Sequence, residues 1–411
     1  MSKMSNKTKS KLFFYSVVTC LLLAGALAVM IRLYFGKGMS PITAASQRMV
    51  VPETGVHLDK ETGKLVADSG DMRYTFTIDP RLQSLAESLL QKYDPMTGAI
   101  VGVDPRTGAI RVAAVYVRKR GDYLKSNPYV SFLDPVARDG TYPMASVAKI
   151  VTSAAAFSAG LYKPDSMFQC TGRTETGGGN VNDAVGEMHG EISVANAFAK
   201  SCNSTFAKVA LKVGRGPLLE EFDKFLFNKP IDFDLPLLES KAMFSDTDYS
   251  LARAGAGWEG AWMSPIHAAM IAATIRNKGN MPRAYFVESV KKGNKTIYTA
   301  RPEIIARPVT EEVADEIGSM FNGSVHVQGG TAYKGFYKGG AYQAGNIHVV
   351  GKTGSLNGNS DSDAFTWFVG YVDNGEPDIA FATMIINDVN WTIKAASFSG
   401  QFFTRLAHDK K

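Results

Sequence analysis

The sequence feature that most limits the possible folds is a long uncharged segment near the start of the chain. From Leu12 to Ile31 every residue is uncharged and most are apolar. An α-helix of this length, at about 1.5 Å per residue, reaches ~30 Å, which is the hydrocarbon thickness of a bilayer. No polar face interrupts the run, which argues against an amphipathic helix packed on a soluble core. The sequence therefore predicts one N-terminal transmembrane helix, within a signal anchor at residues 12–35.

Charged residues before this segment predict its orientation. The lysines that precede it are Lys3, Lys7, Lys9 and Lys11. Positive charge beside a spanning helix tends to stay in the cytoplasm, so residues 1–11 are expected to form a cytoplasmic tail. The rest of the chain is then expected outside the cell (inner) membrane, in the periplasmic space. A cleaved signal peptide is the alternative, because Ala24-Gly25-Ala26 is typical of a cleavage site, but the apolar run continues past it.

Composition argues against several classes of partner. The chain has 45 Lys and Arg against 39 Asp and Glu, a net charge of +6, but the basic residues are spread along it. A nucleic-acid partner is therefore not expected. The 6 His and 3 Cys show no C-x-x-C or H-x-x-x-H spacing, so the sequence carries no zinc-site signature. We accordingly expect neither a metal nor another cofactor.

The distribution of apolar runs predicts the fold class. Residues 36–73 are rich in Gly, Ser, Thr and charge and are expected to form a linker. Helices are predicted at residues 80–92 and Thr392–Leu406. The β-rich runs are Ala99–Val103, Ile110–Val117, His348–Lys352, Phe365–Val372 and Ile379–Ile386. Because two come early and three late, we predict an α/β (α+β) fold: a mostly antiparallel five-stranded sheet flanked by helices, with an inserted all-α subdomain.

Ser146-Val147-Ala148-Lys149 is the first motif that could carry chemistry. It follows Pro143 and opens the apolar run Ile150–Leu161, which predicts a helix N-terminus near Ser146 and places Lys149 beside it. A helix N-terminus favours negative charge, and a buried ammonium loses its proton more easily, so the pair could be a nucleophile and its base. The same spacing recurs at Ser289-Val290-Lys291-Lys292 in a charged run, so this motif alone is weak evidence.

Two more short motifs combine a hydroxyl with an amide or an ammonium. Ser201-Cys202-Asn203 follows an amphipathic segment, Ile192–Ala199, and is either functional or an ordinary helix N-cap. Lys352-Thr353-Gly354 is expected at the end of a strand, where a glycine lets a ligand approach the backbone and Lys352 can meet an anion. A plain strand-end turn is the alternative for the latter motif.

The order of the three motifs resembles that of the penicillin-binding transpeptidases, the serine D,D-acyltransferases of bacterial cell-wall synthesis. The resemblance runs from about Tyr74 to Ala407, and implies a penicillin-binding transpeptidase domain at residues 74–411. Other segments that carry it are Thr77-Ile78-Asp79, Asp104-Pro105-Arg106-Thr107-Gly108, Ser264-Pro265, Gly330-Thr331-Ala332 and Trp367-Phe368-Val369-Gly370-Tyr371. One departure is Pro143-Met144-Ala145-Ser146, where the family usually has Pro-Gly-Ser.

The resemblance implies catalytic roles for residues of the first two motifs. Ser146 would attack the carbonyl of a D-Ala-D-Ala bond, and Lys149 would take its proton. Ser201 would relay that proton to the leaving amine. Asn203 would hold the substrate amide.

The same resemblance implies roles for the third motif and the residue after it. Lys352 would stabilise the substrate carboxylate and lower the pKa of Lys149, because two cations in one cleft disfavour each other. The hydroxyls of Thr353 and Ser355 would bind that carboxylate, and Gly354 would let the substrate lie close to the strand. Backbone N–H groups of Ser146 and Ser355 would form the oxyanion hole.

The implied partners are the peptidoglycan stem peptide (D-Ala-D-Ala), an amine acceptor, β-lactams and the membrane. Only residues 36–73 separate the anchor from the domain, so a glycosyltransferase activity is expected, if at all, from a partner protein. The alternatives that share the acylation step are a D,D-carboxypeptidase and a β-lactamase-type hydrolase. No Glu-x-x-x-Asn element lies between Ser204 and Lys352, which disfavours one large β-lactamase class. A non-catalytic receptor for β-lactams or muropeptides is the alternative from another class.

Cys170 and Cys202 both fall in the predicted insert, on the side of the membrane expected to be oxidising. A disulfide between them is therefore one hypothesis. The other is a pair of small buried apolar side chains.

Overall fold

The computed structural model describes residues 51–52, 54–122, 129–357, 364–388 and 391–408. The predicted cytoplasmic tail, the anchor at 12–35 and the first part of the linker lie outside these residues. The description concerns the compact unit Val51–Lys411. Within the described ranges, no helix has the length and apolar character needed to cross a bilayer.

The described part of the chain alternates short strands with helices. The strands are β1 (His57–Leu58), β2 (Leu65–Ser69), β3 (Met72–Phe76), β4 (Thr97–Val103), β5 (Ile110–Val117), β6 (Tyr142–Pro143), β7 (Met167–Cys170), β8 (Arg173–Thr176), β9 (Gly179–Asn182), β10 (Gly190–Ser193), β11 (Lys241–Ala242), β12 (Ala261–Met263), β13 (Met281–Pro282), β14 (Val287–Lys292), β15 (Lys295–Thr299), β16 (Ile304–Ala306), β17 (Tyr337–Lys338), β18 (Ala341–Tyr342), β19 (His348–Asn357), β20 (Ala364–Asn374) and β21 (Ala380–Asn387). The α-helices are α1 (Pro80–Tyr93), α2 (Lys149–Ser158), α3 (Val194–Lys200), α4 (Asn203–Val213), α5 (Arg215–Lys224), α6 (Asp248–Ala256), α7 (Pro265–Arg276), α8 (Glu311–His326), α9 (Tyr333–Phe336) and α10 (Ala395–His408). Short 3-10 turns lie at Arg118–Arg120, Ser131–Leu133, Pro135–Arg138 and Ala145–Ala148.

The central sheet is antiparallel and has five strands in the order β19-β20-β21-β4-β5, which confirms the predicted sheet. Its early and late strands meet where β21 pairs with β4, with Met384 opposite Ala99. Every residue of β21 is buried, as expected of an apolar strand covered on both faces. The predicted strands and the two predicted helices all form, with ends that shift by a few residues.

Helices cover both faces of this sheet. Phe398 and Phe402 of α10 share one apolar cluster with Leu89 of α1 and Val372 of β20. Successive strand residues point to opposite faces, so the neighbouring Tyr371 lies on the other side, where its ring contacts Phe321 of α8. On that side α7 is buried from Pro265 to Ile275 and packs on β20 and β21. The sheet is therefore held between two helical layers, and β19 is one of its two edge strands.

Two sequence predictions need correction. The inserted region is not all-α, because β7 pairs with β10, β8 pairs with β9, and β11, β12 and β6 form a small sheet. Residues 57–73 are not simply a linker either, since β1, β2 and β3 join β14 and β15 in a second five-stranded sheet. These strands are short and many of their side chains are exposed, so they show no sustained apolar periodicity. Their stability comes from pairing with distant residues, as in Tyr74 opposite Val290.

Candidate active site

Ser146 lies on the 3-10 turn Ala145–Ala148, directly before α2. Two hydrogen bonds with neighbouring strands fix the backbone just before this turn. The amide of Met144 donates to the carbonyl of Ala261 at 3.0 Å, and Nε1 of Trp367 donates to the carbonyl of Pro143 at 2.9 Å. Ala145 has a φ of 51°, in the region that costs energy for a residue with a side chain. The nucleophile candidate therefore lies on a strained turn that is fixed from both β12 and β20.

Two glycines let other elements approach this turn closely. Gly257, just after α6, has a φ of +84°, and a Cβ there would lie 2.1 Å from the carbonyl oxygen of Ala145. A Cβ on Gly354 of β19 would lie 3.1 Å from the carbonyl oxygen of Met144. Gly257 therefore needs a residue without a side chain, and a Cβ at Gly354 would make a tighter contact than usual. The end of α6 and the edge strand of the sheet meet at the backbone that carries Ser146.

Lys149 is the first residue of α2 and is fully buried. Its Nζ lies 2.7 Å from Oγ of Ser146, 2.8 Å from Oδ1 of Asn203 and 2.6 Å from the carbonyl oxygen of Ala256. Burial lowers the pKa of Lys149 to about 7. A neutral amine has two N–H groups and one lone pair. Asn203 and Ala256 accept the two N–H groups, which leaves the lone pair for the hydroxyl proton of Ser146.

Ser201 and Asn203 lie at a junction between two helices. Helix α3 ends at Lys200, Ser201 has a left-handed φ of 61°, and Asn203 begins α4. Nδ2 of Asn203 donates to the carbonyl of Asn182 at 3.0 Å, which leaves Oδ1 for Lys149. The sharp reversal of the chain at Ser201 places its hydroxyl near Lys352 and the side-chain amide of Asn203 near Lys149.

Lys352 lies in the middle of β19, not at a strand end as the sequence predicted. It is fully buried, and its Nζ donates to Oγ of Ser201 at 3.0 Å and to the carbonyl of Thr353 at 2.9 Å. Burial and the positive charge of Lys149 hold the pKa of Lys352 well below its usual range. Neither lysine forms an ion pair within the described ranges. A negatively charged substrate group entering the cleft would relieve this excess of positive charge.

The structure thus brings the five predicted catalytic residues together as two hydrogen-bonded sets. Lys149 links Ser146 to Asn203, and Lys352 links β19 to Ser201. The two lysines are close enough for the charge of Lys149 to affect the pKa of Lys352. Thr353, Gly354 and Ser355 continue along β19 beside these residues. Because β19 is an edge strand, its outer side can pair with an extended peptide, and Thr353 and Ser355 share one face of it.

The arrangement can generate a serine nucleophile next to a cation, which suits acyl transfer from a peptide that ends in a carboxylate. A family model described as the penicillin binding protein transpeptidase domain matches residues 98–406. The chain belongs to the penicillin-binding protein transpeptidase family.

Named relatives agree with this membership. The peptidoglycan D,D-transpeptidase PbpA of Mycolicibacterium smegmatis is 27% identical over 336 residues, 75% of this chain and 66% of PbpA. The chain therefore spans just under two thirds of that relative. A D,D-transpeptidase domain of a peptidoglycan glycosyltransferase from Eggerthella lenta has a TM-score of 0.70 and 25% identity, covering 87% of this chain and 90% of that one. The penicillin G acyl-enzyme complex of penicillin-binding protein A from Mycobacterium tuberculosis has the same fold, with a TM-score of 0.69, 24% identity and coverage of 85% and 83%.

Sequence reasoning missed several residues that support this transpeptidase site. The carbonyl of Ala256 cannot be seen in a motif, because any residue type supplies it. Thr331 was noted only as part of Gly330-Thr331-Ala332, yet its Oγ1 accepts a hydrogen bond of 2.6 Å from Oγ1 of Thr353. Asp183 had no signal at all, although its Oδ1 accepts from the backbone N–H groups of Asn203 and Ser204.

The cysteines near this site also differ from expectation. Cys170 and Cys202 are buried free thiols whose Sγ atoms lie 3.5 Å apart, so the hypothesised disulfide is not formed. Asp183 and His189 join them, and the four candidate ligand atoms all lie within 4.8 Å of one another. The expectation that the chain binds no metal stays a prediction. It relied on close sequence spacing, whereas these residues come from β7, the segment between β9 and β10, and the position just before α4.

Proposed function

We propose that this chain is a membrane-anchored peptidoglycan D,D-transpeptidase that cross-links stem peptides through an acyl-enzyme on Ser146 and is inhibited by β-lactams. The observation that carries the proposal is the 2.7 Å contact between Nζ of Lys149 and Oγ of Ser146, in a buried site that lowers the pKa of the lysine to about 7. A base with a pKa near the working pH is efficient in proton transfer.

In the first step, Oγ of Ser146 attacks the carbonyl carbon of the D-Ala-D-Ala bond, and Nζ of Lys149 takes the hydroxyl proton. The C–N bond then breaks, and the nitrogen of the terminal D-Ala needs a proton to leave. Oγ of Ser201 accepts a hydrogen bond from Lys352, so its own hydrogen is available for that nitrogen. Ser201 then takes the proton held by Lys149, which returns this lysine to the neutral amine. The products are a seryl ester and free D-Ala.

In the second step, an amine of another stem peptide attacks the ester carbonyl. Its proton passes to Lys149 and from there to Oγ of Ser146 as the ester C–O bond breaks, and a new peptide bond joins the two stem peptides. Lys352 acts in the first step, where it holds the carboxylate of the terminal D-Ala, with Thr353 and Ser355 beside it on β19. This carboxylate leaves with the free D-Ala. A β-lactam undergoes the first step only. When its ring opens, the nitrogen stays attached to the acyl group and cannot depart as D-Ala does.

Anchoring and location belong to the same proposal. The uncharged run Leu12–Ile31 supports a spanning helix, and the lysines before it support a cytoplasmic N-terminus. The transpeptidase domain would then face peptidoglycan outside the inner membrane, where a separate glycosyltransferase supplies glycan strands. Carbonate extraction of membranes, and protease digestion of spheroplasts, test this directly. Release by carbonate, or protection of the domain in intact spheroplasts, would argue against it.

Penicillin labelling tests the nucleophile. The full-length protein in detergent is incubated with a fluorescent penicillin, and the adduct is followed by gel and by intact mass over hours. A stable adduct is expected on the wild type and none on Ser146→Ala. Ser289→Ala is the matched control, because Ser289 begins the same Ser-x-x-Lys spacing on strand β14, far along the chain from the cleft motifs. It should label like the wild type.

The fate of the acyl-enzyme separates the related activities. Given a D-Ala-D-Ala peptide and an added amine acceptor, a transpeptidase forms the cross-linked product, while a carboxypeptidase transfers the acyl group to water. A penicillin adduct lost within seconds would indicate a β-lactamase-type hydrolase. Stable labelling without turnover on any amine would instead favour a receptor.

A further inference from the structure

A cluster of four potential metal ligands lies next to the catalytic segment and has no part in the acyl-transfer chemistry above. It consists of Cys170 at the end of β7, Asp183 just after β9, His189 just before β10, and Cys202 just before α4. The side chains of Asp183 and His189 are only 1% and 8% exposed, and both cysteines are buried. We propose that these four residues bind one zinc ion, and that this ion holds the segment Ser201–Asn203 in its active position.

Five of the six distances within the cluster are close to those of a tetrahedral site, and the sixth, from Cys202 Sγ to the His189 ring nitrogen, is within 4.8 Å. Zinc bonds of about 2.3 Å to sulfur and about 2.0–2.1 Å to nitrogen or oxygen place neighbouring ligand atoms about 3.3–3.8 Å apart. The two Sγ atoms are 3.5 Å apart, and Cys202 Sγ is 3.4 Å from Oδ2 of Asp183. Nδ1 of His189 lies 3.5 Å from Cys170 Sγ and 3.5 Å from Oδ2 of Asp183. Cys170 Sγ and that oxygen, at 3.0 Å, form a slightly shorter edge.

The chemical nature of the ligands favours zinc over hard cations. Thiolate and imidazole ligands bind zinc well, whereas Mg²⁺ and Ca²⁺ prefer oxygen. Two thiolates, one carboxylate and a neutral imidazole carry three negative charges, which a divalent cation reduces to one. Binding therefore releases the two thiol protons, and both sulfurs become ligands.

Groups around the cluster orient the ligands as expected for a metal site. The amide of Gly172 donates to Cys170 Sγ at 3.4 Å, and the amide of Thr205 donates to Cys202 Sγ at 3.3 Å. Such donors stabilise thiolates. A carboxylate oxygen of Glu187 lies 3.7 Å from Nε2 of His189, the nitrogen that keeps its proton when Nδ1 binds a metal.

The cluster is connected directly to the catalytic residues. Cys202 stands between Ser201 and Asn203, and Oδ1 of Asp183 accepts from the backbone N–H of Asn203 while Oδ2 faces the cluster. The side chain of Asn203 in turn bonds the carbonyl of Asn182. A zinc ion would thus fix the β8–β9 hairpin, β7 and the start of α4 to one another. Asn203 would hold its Oδ1 at Lys149 as a consequence, so the four ligands are positioning residues.

Metal analysis tests the site without relying on activity. The full-length protein, with Cys20 replaced by Ser in every sample, is produced with zinc and purified in reductant without chelator. Mass spectrometry of the metal should find about one zinc per chain. Cys170→Ser/Cys202→Ser should hold less than about a tenth of that amount. His57→Ala removes an exposed histidine far along the chain from the cluster, and should keep the wild-type stoichiometry.

Cobalt substitution covers the case in which a cysteine variant fails to fold. Cobalt in the otherwise unchanged protein should give the visible absorption of a tetrahedral thiolate site, and zinc should displace it. Alkylation should be slow until a chelator is added. A protein with no zinc and two readily alkylated thiols would overturn the proposal, as would a disulfide found by intact mass, or equal zinc in the double variant.

Penicillin labelling links the ion to the catalytic segment. Removal of zinc should slow acylation of Ser146 by about tenfold or more, and added zinc should restore it. Unchanged acylation after complete zinc removal would overturn the positioning role. The metal measurements do not depend on acylation. Absence of penicillin labelling in a protein with one zinc per chain would therefore refute the transpeptidase proposal and leave the zinc site intact.

Discussion

Nζ of Lys149 lies 2.7 Å from Oγ of Ser146, with no ion-pair partner for the lysine among the described residues. Since only the neutral amine can accept the serine proton, and its pKa is about 7, acylation should rise with pH up to about 7 and level off above it. Second-order rate constants for penicillin labelling between pH 5 and 9 measure this. A rate that is flat across that range would show that the ionisation of Lys149 does not limit acylation.

The substitution Asn203→Asp tests the role of Lys149 as the base by raising its pKa. A carboxylate 2.8 Å from Nζ would stabilise the ammonium and raise the pKa of Lys149 by roughly one to three units. Acylation at pH 7 should then fall by about fivefold to five-hundredfold and recover at higher pH. Asn203→Ala is the control, because it also removes the amide but adds no charge. An inflection that stays at the wild-type pH in Asn203→Asp would contradict this account of the base.

The stability of the protein should also depend on Lys149. Its pKa is about 7 in the folded chain and ordinarily 10.5, so between these values the unfolded chain binds more protons. The free energy of unfolding should therefore increase as pH rises through this window, by up to about 1.4 kcal/mol per pH unit for one lysine. Lys149→Met should flatten that slope. Lys292→Met, at an exposed lysine of β14, should leave it unchanged in urea titrations at pH 7 and 9.

Gly257→Ala should displace the turn that carries Ser146. Its Cβ would meet the carbonyl oxygen of Ala145 at 2.1 Å, so backbone must shift. We expect a loss of about 2–4 kcal/mol in the free energy of unfolding, and slower penicillin acylation. Gly160→Ala is matched for backbone, with a φ of +63°, but its Cβ would meet nothing within 4 Å. Equal losses in stability and acylation for the two variants would mean that strain alone, rather than the clash, explains the effect.

Thr331→Val should weaken substrate binding through Thr353. The valine removes the acceptor of the 2.6 Å hydrogen bond from Oγ1 of Thr353, so that hydroxyl loses its fixed direction. The effect should fall mainly on KM for a D-Ala-D-Ala peptide, by about tenfold, corresponding to the ~1.4 kcal/mol of a good hydrogen bond. Thr331→Ser keeps the hydroxyl and should restore the wild-type KM. A loss of kcat alone would point to a different role.

The sequence was sufficient to predict the elements in which most consecutive residues are buried. Strands such as Ile110–Val117 are apolar runs because both faces of the central sheet are covered. It was insufficient for β2 and β3, where exposed and buried residues mix and where β3 pairs with β14, far along the chain. A local sequence pattern does not show that a strand is stabilised by pairing with a strand far along the chain.

The residues of the candidate site also divide into those that the sequence predicted and those that it did not. Ser146, Lys149, Ser201, Asn203 and Lys352 were predicted because short motifs and a family resemblance mark them. Asp183 and His189 were not, since their spacing to Cys170 and Cys202 matches no compact ligand motif and only the folding of two hairpins against α4 brings them together. The carbonyl of Ala256 was equally invisible, because backbone groups leave no signature in a sequence.

The order of strands in the central sheet has a consequence for when the site can form during synthesis of the protein. Strands β19, β20 and β21 follow α8 in the chain, yet they supply three of the sheet's five strands, and β20 and β21 separate Lys352 from the early pair β4 and β5. A nascent chain that has reached only α8 contains Ser146 and Lys149 but lacks β19 and Lys352. Contacts between residues this distant in sequence form slowly. The set of side chains around Ser146 therefore cannot be complete until these three strands have been synthesised.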